Sequence, residues 1–209
     1  MSPIPINLAV EDALSEAVLR KVLENSNREF AVGSAYGQRG IGYLRKMIRP
    51  FNNAAKGTPF LVLVDLDQYE CAPVLIAEWL TDNQHHNLLF RVAVREVESW
   101  VLADTAGFAT FLGISKRLVP SDTDGIPDPK QFLISLAKSS PRRDLKRDIV
   151  PPPASTRTIG PNYNGRLIRF ISSSWDCSVA RNQSPSLDRL VRSLEAFVPY
   201  WETQDNSAP

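Results

Sequence analysis

Apolar runs that stop abruptly at acids recur along this chain. The clearest is Phe60-Leu-Val-Leu-Val-Asp-Leu-Asp67, where five apolar residues lead into two acids two positions apart. A short continuous run of this kind predicts a strand buried on both faces, as in a parallel sheet. An earlier run at 4–10 predicts the first strand, with Pro5 tolerable near its start. It is followed by Ala13, Leu14, Ala17, Val18, Val22 and Leu23 at helical spacing. A short strand is expected at 28–34, toward a sheet edge, then a glycine-rich turn at 36–42 and a helix at 43–55. A helix at 73–80 and a strand at 88–94 come next. Val97, Trp100, Val101 and Ala103 then mark an amphipathic helix that begins where that strand ends. Strands alternating with helices in this way predict an α/β fold with a parallel sheet.

Beyond Gly113 the pattern changes. Residues 115–129 are polar and rich in turn formers, and 130–138 reads as a helix. A basic stretch at 138–147 runs into Pro151-Pro-Pro153, which ends any helix and stiffens the chain. Helices are expected at 163–171 and 187–198, the latter with Ser184 as N-cap and Pro185 at its first position. The expected organisation is an α/β core at 1–113, a helical extension packed on it at 114–201, and a flexible tail at 202–209. No internal repeat is present.

Composition narrows the class. The 209 residues are 43% hydrophobic, enough for a real core, and no long uncharged apolar segment could span a bilayer. The N-terminus lacks the pattern of a signal peptide, and Cys71 and Cys177, the only cysteines, have no metal-ligand spacing. A cytoplasmic protein is expected. A net charge of +1 makes no global case for nucleic acid, so such a partner must be held by local basic patches or by metal.

The candidate chemistry lies at the strand–helix junctions. Asp65 and Asp67 would point the same way if their strand continued that far. They stand at the strand's C-terminal end, where open α/β sheets collect ligands. Glu11 and Asp12 end the first strand, and Glu96 and Glu98 would fall in the first turn of the helix after 88–94. Acids at helix starts are favoured by the helix dipole, so each junction alone also admits a capping role. Three such junctions together point to a divalent metal, because clustered carboxylates repel unless a cation or proton intervenes. His85 and His86 are the only histidines and sit in a polar loop. As neighbours on an extended chain they chelate poorly, and their isolation removes most nucleophile–His–acid mechanisms. Arg45, Lys46, Arg49 and Lys56 could grip phosphates or form a solvated face. The turn before them lacks the ending of a P-loop and the spacing of a dinucleotide fingerprint.

A strand ending in Glu, a second ending in Asp-x-Asp and an acidic helix start after a third resemble the Toprim fold of topoisomerases, bacterial primases and OLD-type nucleases. The closer resemblance is to a Toprim-related bacterial domain family of unknown function. Four stretches carry it: Val10-Glu-Asp-Ala-Leu-Ser-Glu16, Leu63-Val-Asp-Leu-Asp67, Val94-Arg-Glu-Val-Glu-Ser-Trp-Val-Leu-Ala-Asp104 and Ser184-Pro-Ser-Leu-Asp-Arg-Leu190. The resemblance implies a Toprim/Rossmann-like small parallel sheet flanked by helices, with a mainly helical C-terminal part. By it, Glu11 matches the Toprim glutamate, Asp65 and Asp67 the Asp-x-Asp, Glu16 the second acid of the OLD-type first motif, and Glu98 the acid of the third motif, with Glu96 beside it. The sequence departs from the pattern at Asp12, where Toprim proteins usually have glycine.

The resemblance further implies phosphodiester hydrolysis assisted by Mg²⁺ or Mn²⁺, with Glu11, Asp65, Asp67 and Glu98 as ligands. Glu16 or Glu98 would complete a second site, orient water or act as general base. Asp12 is a further ligand candidate, and Arg95 and Lys130 are candidates to meet the scissile phosphate. The implied protein is a nuclease acting on DNA or RNA, the effector of a bacterial anti-phage defence system with a separate ATPase partner; a homodimer is also admitted. A non-catalytic Toprim-like interaction or regulatory subunit is the alternative. A haloacid-dehalogenase-like phosphatase ranks last, since Gln68-Tyr69 follows the Asp-x-Asp and Glu11 would have no role.

Overall fold

A computed structural model describes residues 2–81 and 83–205, the side chains of 203–205 excepted. The chain forms two compact units, Met1–Val92 with Arg189–Pro209, and Ala93–Asp188. The expected boundary at 113 therefore falls inside the second unit, at the residue that ends a helix.

The first unit carries a four-stranded parallel sheet in the order β2-β1-β3-β4, with β1 Ile4–Val10, β2 Phe30–Gly37, β3 Phe60–Asp65 and β4 Leu88–Ala93. Its helices are α1 Ala13–Glu24, α2 Ile41–Ala54 and α3 Ala72–Trp79. The fold is the expected α/β class. The central strands explain why two apolar runs read as buried on both faces: Leu61, Val62, Leu63 and Val64 are all buried, as are Leu8, Ala9 and Val10. β2 is an edge strand, as expected, and is mostly exposed. It extends to Gly37 and so absorbs the start of the glycine-rich turn. β1 pairs with β2 through a register shift between Ile6 and Leu8, where the Asn7 side chain accepts the Ser34 N–H at 2.9 Å. A polar side chain thus fills the gap left in the ladder. His85 and His86 lie in the loop before β4. His86 Nε2 is 2.6 Å from the Val198 carbonyl, and its ring stacks on Phe197.

The second unit is mainly helical: α4 Glu98–Ala103, α5 Thr105–Leu112, α6 Pro129–Lys138, α7 Arg143–Ile149, α8 Tyr163–Ser173 and α9 Cys177–Ala180. α10 Pro185–Glu195 begins in it and ends in the first unit, which also holds α11 Tyr200–Asp205. Residues 202–205 of the expected tail thus belong to a helix, and 206–209 lie outside the described residues. Trp100 and Trp175 are buried, and both indole N–H groups are satisfied. Trp100 donates to Ser186 Oγ at 2.6 Å, and Trp175 to the Trp100 carbonyl at 3.2 Å. Ser184 caps α10 by accepting the Leu187 N–H, while Asp124 accepts from the Ser184 hydroxyl and the Ser186 N–H. The basic stretch at 138–147 runs from the last residue of α6 into α7. Asp148 there accepts from Arg147 Nε and Arg166 Nε at 2.9 and 2.8 Å. Among the described residues no helix is long and apolar enough to cross a membrane.

This packing can be tested at two positions. Gly37 has φ 119°, and a Cβ there would lie 1.8 Å from the Val10 carbonyl oxygen. Gly37→Ala is therefore expected to lower stability by about 1–3 kcal/mol, read as a shifted urea midpoint. Hydrogen bonds from Arg147 and Arg166 hold the Asp148 carboxyl below its ordinary pKa. Its contribution to stability is then complete above about pH 4, the unfolded value, and disappears as pH falls through the lower folded value. Asp148→Asn should flatten the loss of stability measured by urea titration below about pH 4, relative to the parent.

Candidate metal site at the strand ends

The site grows from the way β1 and β3 end. They are parallel neighbours with Ala9 opposite Val62, so Glu11 and Asp65 leave the sheet at the same edge. The Asp65 N–H lies beyond the last ladder pair with β1, and Glu11 Oε1 accepts it at 2.9 Å. This bond joins the two strand ends and brings the Glu11 carboxylate to the backbone of Asp65. Both residues are half-buried.

The strand does not continue to Asp67. After Asp65 the chain makes a tight turn closed by the Tyr69 N–H on the Leu66 carbonyl, with Asp67 at φ 47°. Alternation still holds in one respect: Leu66 turns into the core, while Asp65 and Asp67 stay half-buried. The left-handed backbone is one that aspartate tolerates better than most residues.

The loop after β2 closes over the same edge. Gln38 N–H donates to the Val10 carbonyl at 3.1 Å and Gly40 N–H to the Glu11 carbonyl at 3.3 Å. Gln38 Nε2 donates to Glu16 Oε2, and Arg20 bonds Glu16 Oε1, each at 2.8 Å. Both Glu16 oxygens thus have partners within the fold. Gln38, which sequence reasoning missed, has φ 58°. Only the surrounding glycines, Gly37 and Gly40, signalled that a left-handed segment was coming.

Asp12 is the N-cap of α1, its Oδ1 accepting the Ser15 N–H at 2.8 Å. Its capping role is the one realised. Its φ of −149° is extended backbone that any residue adopts, so this position demands no glycine.

The remaining candidates belong to the second unit. The expected first turn holding both Glu96 and Glu98 is corrected: α4 starts at Glu98, because Arg95 at φ 63° interrupts the chain before it. Glu96 instead serves α6. Its Oε2 accepts the Lys130 N–H at 2.9 Å and its Oε1 the Lys130 ammonium at 2.8 Å. Glu98 is only 2% exposed; it accepts from the Tyr163 hydroxyl at 3.1 Å and lies 3.6 Å from Lys130 Nζ. Tyr163 was also missed, being read only as the start of a helix.

Hard divalent ions take oxygen ligands, and Mg²⁺ is commonly held by one or two carboxylates with water and substrate phosphate completing its shell. Glu11 and Asp65, with Asp67 two residues on, fit that open arrangement. Among the described residues no group of three or more His, Cys, Asp or Glu side chains is assembled to hold a metal. No protein-family model, curated protein or solved structure matches this chain.

Lys130 is the measurable element of the second cluster. Lys130→Ala removes the cation beside both Glu96 and buried Glu98. It is expected to cost about 1.5–3 kcal/mol by denaturant unfolding, the scale of a lost hydrogen bond to a charged group.

Proposed function

We propose that this protein is a metal-dependent phosphodiesterase of Toprim type, a nuclease working with Mg²⁺ or Mn²⁺. The observation that carries this reading is the Glu11 carboxylate bonded to the Asp65 backbone at the C-terminal edge of a parallel sheet. Ligands in open α/β sheets bind at that edge. Glu11, Asp65 and Asp67 would hold the ion, directly or through its bound water. When bound, it would polarise a phosphoryl oxygen and lower the pKa of a water molecule. The chain's own contribution is positioning. The Asp65 N–H fixes one Glu11 oxygen, and Gln38 and Arg20 hold Glu16 in place on α1. A separate ATPase partner and a role in bacterial defence belong to the same reading, through the resemblance to OLD-type nucleases. The runner-up is a regulatory subunit that binds a metal at the same carboxylates without cleaving.

The test is incubation with supercoiled DNA, linear DNA and structured RNA, with Mg²⁺, Mn²⁺ or EDTA. Cleavage is expected with either metal, none with EDTA, and a loss of about 100-fold or more in Glu11→Ala and Asp65→Ala, the scale of removing one preorganised electrostatic group. Cleavage that survives both substitutions would sink the site. Calorimetric Mn²⁺ binding that is abolished in Asp67→Ala, with no cleavage of any substrate, selects the regulatory reading.

A further inference from the structure

The second unit holds a cavity of about 390 Å³ that the strand-end site does not use. Its wall includes Phe111 from α5, Arg142 and Asp144 at the start of α7, and Arg166, Arg169 and Ser173 from α8. The volume lies in the range of small-ligand sites, about 300–1,000 Å³.

The charges within it are unequally compensated. Arg166 is fixed by acids: its Nη2 is 3.0 Å from Asp144 Oδ2 and 2.7 Å from Asp148 Oδ2, and its Nε donates to Asp148. Arg142 and Arg169 are exposed and form no ion pair among the described residues. Two guanidiniums without a carboxylate line one cavity. Each is a planar fork of donors that matches phosphate oxygens in pairs. Their combined charge matches that of a phosphate monoester, whereas Asp144 on the same wall disfavours a run of phosphates. Beside them stands an aromatic surface. Phe111 is half-buried and stacks on buried Phe170, with centroids 4.9 Å apart and planes at 26°. A ring fixed in this way offers a flat base a rigid apolar wall.

We infer that this cavity binds a terminal phosphate monoester carried on a nucleotide, with Arg142 and Arg169 on the phosphate and Phe111 beside the base. The chemistry is shared by a free mononucleotide and by the 5′-phosphorylated end of a strand. The inference stands apart from the metal-site reading, since neither its residues nor its ligand contacts involve Glu11, Asp65 or Asp67.

The test is isothermal titration calorimetry of the full chain in EDTA, with AMP, adenosine, inorganic phosphate and a 5′-phosphorylated dinucleotide as titrants. Saturable AMP binding is expected, with phosphate at least about 10-fold weaker and adenosine weaker still. Arg142→Ala and Arg169→Ala should each weaken AMP about 10-fold or more, while Arg143→Ala, a neighbour outside the cavity, should stay within about 2-fold. Phe111→Leu keeps the bulk and should bring AMP down to the affinity of phosphate. Thermal melts of each variant separate lost binding from lost folding. A dinucleotide that binds as tightly as AMP identifies a strand end as the source; one that binds about 10-fold more weakly identifies the free nucleotide. Absence of saturable binding overturns the inference. So does an Arg143→Ala loss equal to that of Arg169→Ala, or AMP affinity equal to that of phosphate and unmoved in Phe111→Leu. Because no metal or cleavage enters the assay, its failure and that of the nuclease reading are separate results.

Discussion

The hydrogen bond from the Asp65 amide to Glu11 arises from how parallel strands end. A ladder that stops leaves an N–H with no backbone acceptor, and burying such a donor unpaired costs about as much as losing a hydrogen bond. Here the side chain of the neighbouring strand's next residue supplies the acceptor, at 2.9 Å. The bond satisfies the end of β3 and turns the Glu11 carboxylate along the sheet edge instead of outward. Other contacts build on the same place. The loop after β2 donates to the carbonyls of Val10 and Glu11, and Asp12, next in the chain, caps α1. A neutral acceptor would also satisfy the amide.

Backbone conformation marks the strand ends as well. Gln38, Asp67 and Arg95 have positive φ, and each follows the end of a strand by one or two residues. A left-handed non-glycine residue costs on the order of 1–2 kcal/mol, so it persists only where its surroundings insist on it. For Gln38 the enforcing contacts are visible: its backbone is held by Val10 and its side chain by Glu16. For Asp67 the tight turn from Leu66 to Tyr69 does the same. These sharp turns let strand ends carry polar side chains at the rim while the flanking Leu66 stays in the core.

The fold was legible because buried parallel strands leave a plain signature, apolar on both faces and closed by polar residues. The edge position of β2 was legible too, since its run at 28–34 is short and mixed. The site was legible only to the level of its junctions. Periodicity placed Glu11 and Asp65 at strand ends, but it could not distinguish an acid that caps a helix from one that spans two strands. Asp12 and Glu11 are adjacent and chemically alike, yet one meets Ser15 three residues on and the other meets Asp65 fifty-four residues away. Glu96 shows the converse. It looked local to α4, but Arg95 turned the chain and its partner became Lys130. Tyr163 was illegible for the same reason, since its contact to Glu98 spans sixty-five residues.

These partners also divide the acids by what holds them. Glu16 has an arginine on one oxygen and an amide on the other, and Glu96 has a backbone N–H and an ammonium. Recruiting either to a cation would require breaking two bonds to donors, one of them charged. The Glu11 contact differs in kind. Its donor is a backbone amide, so this bond sets the direction of the carboxylate through the main chain of the neighbouring strand. A metal ligand has to be both negative and aimed in advance, and hydrogen bonds to neutral donors around a carboxylate supply that aim. Asp65, whose own backbone makes the bond, is brought alongside by the same contact. Glu11 and Asp65 thus share one contact that links the ends of β1 and β3, while Glu16 is tied to Gln38 and Arg20.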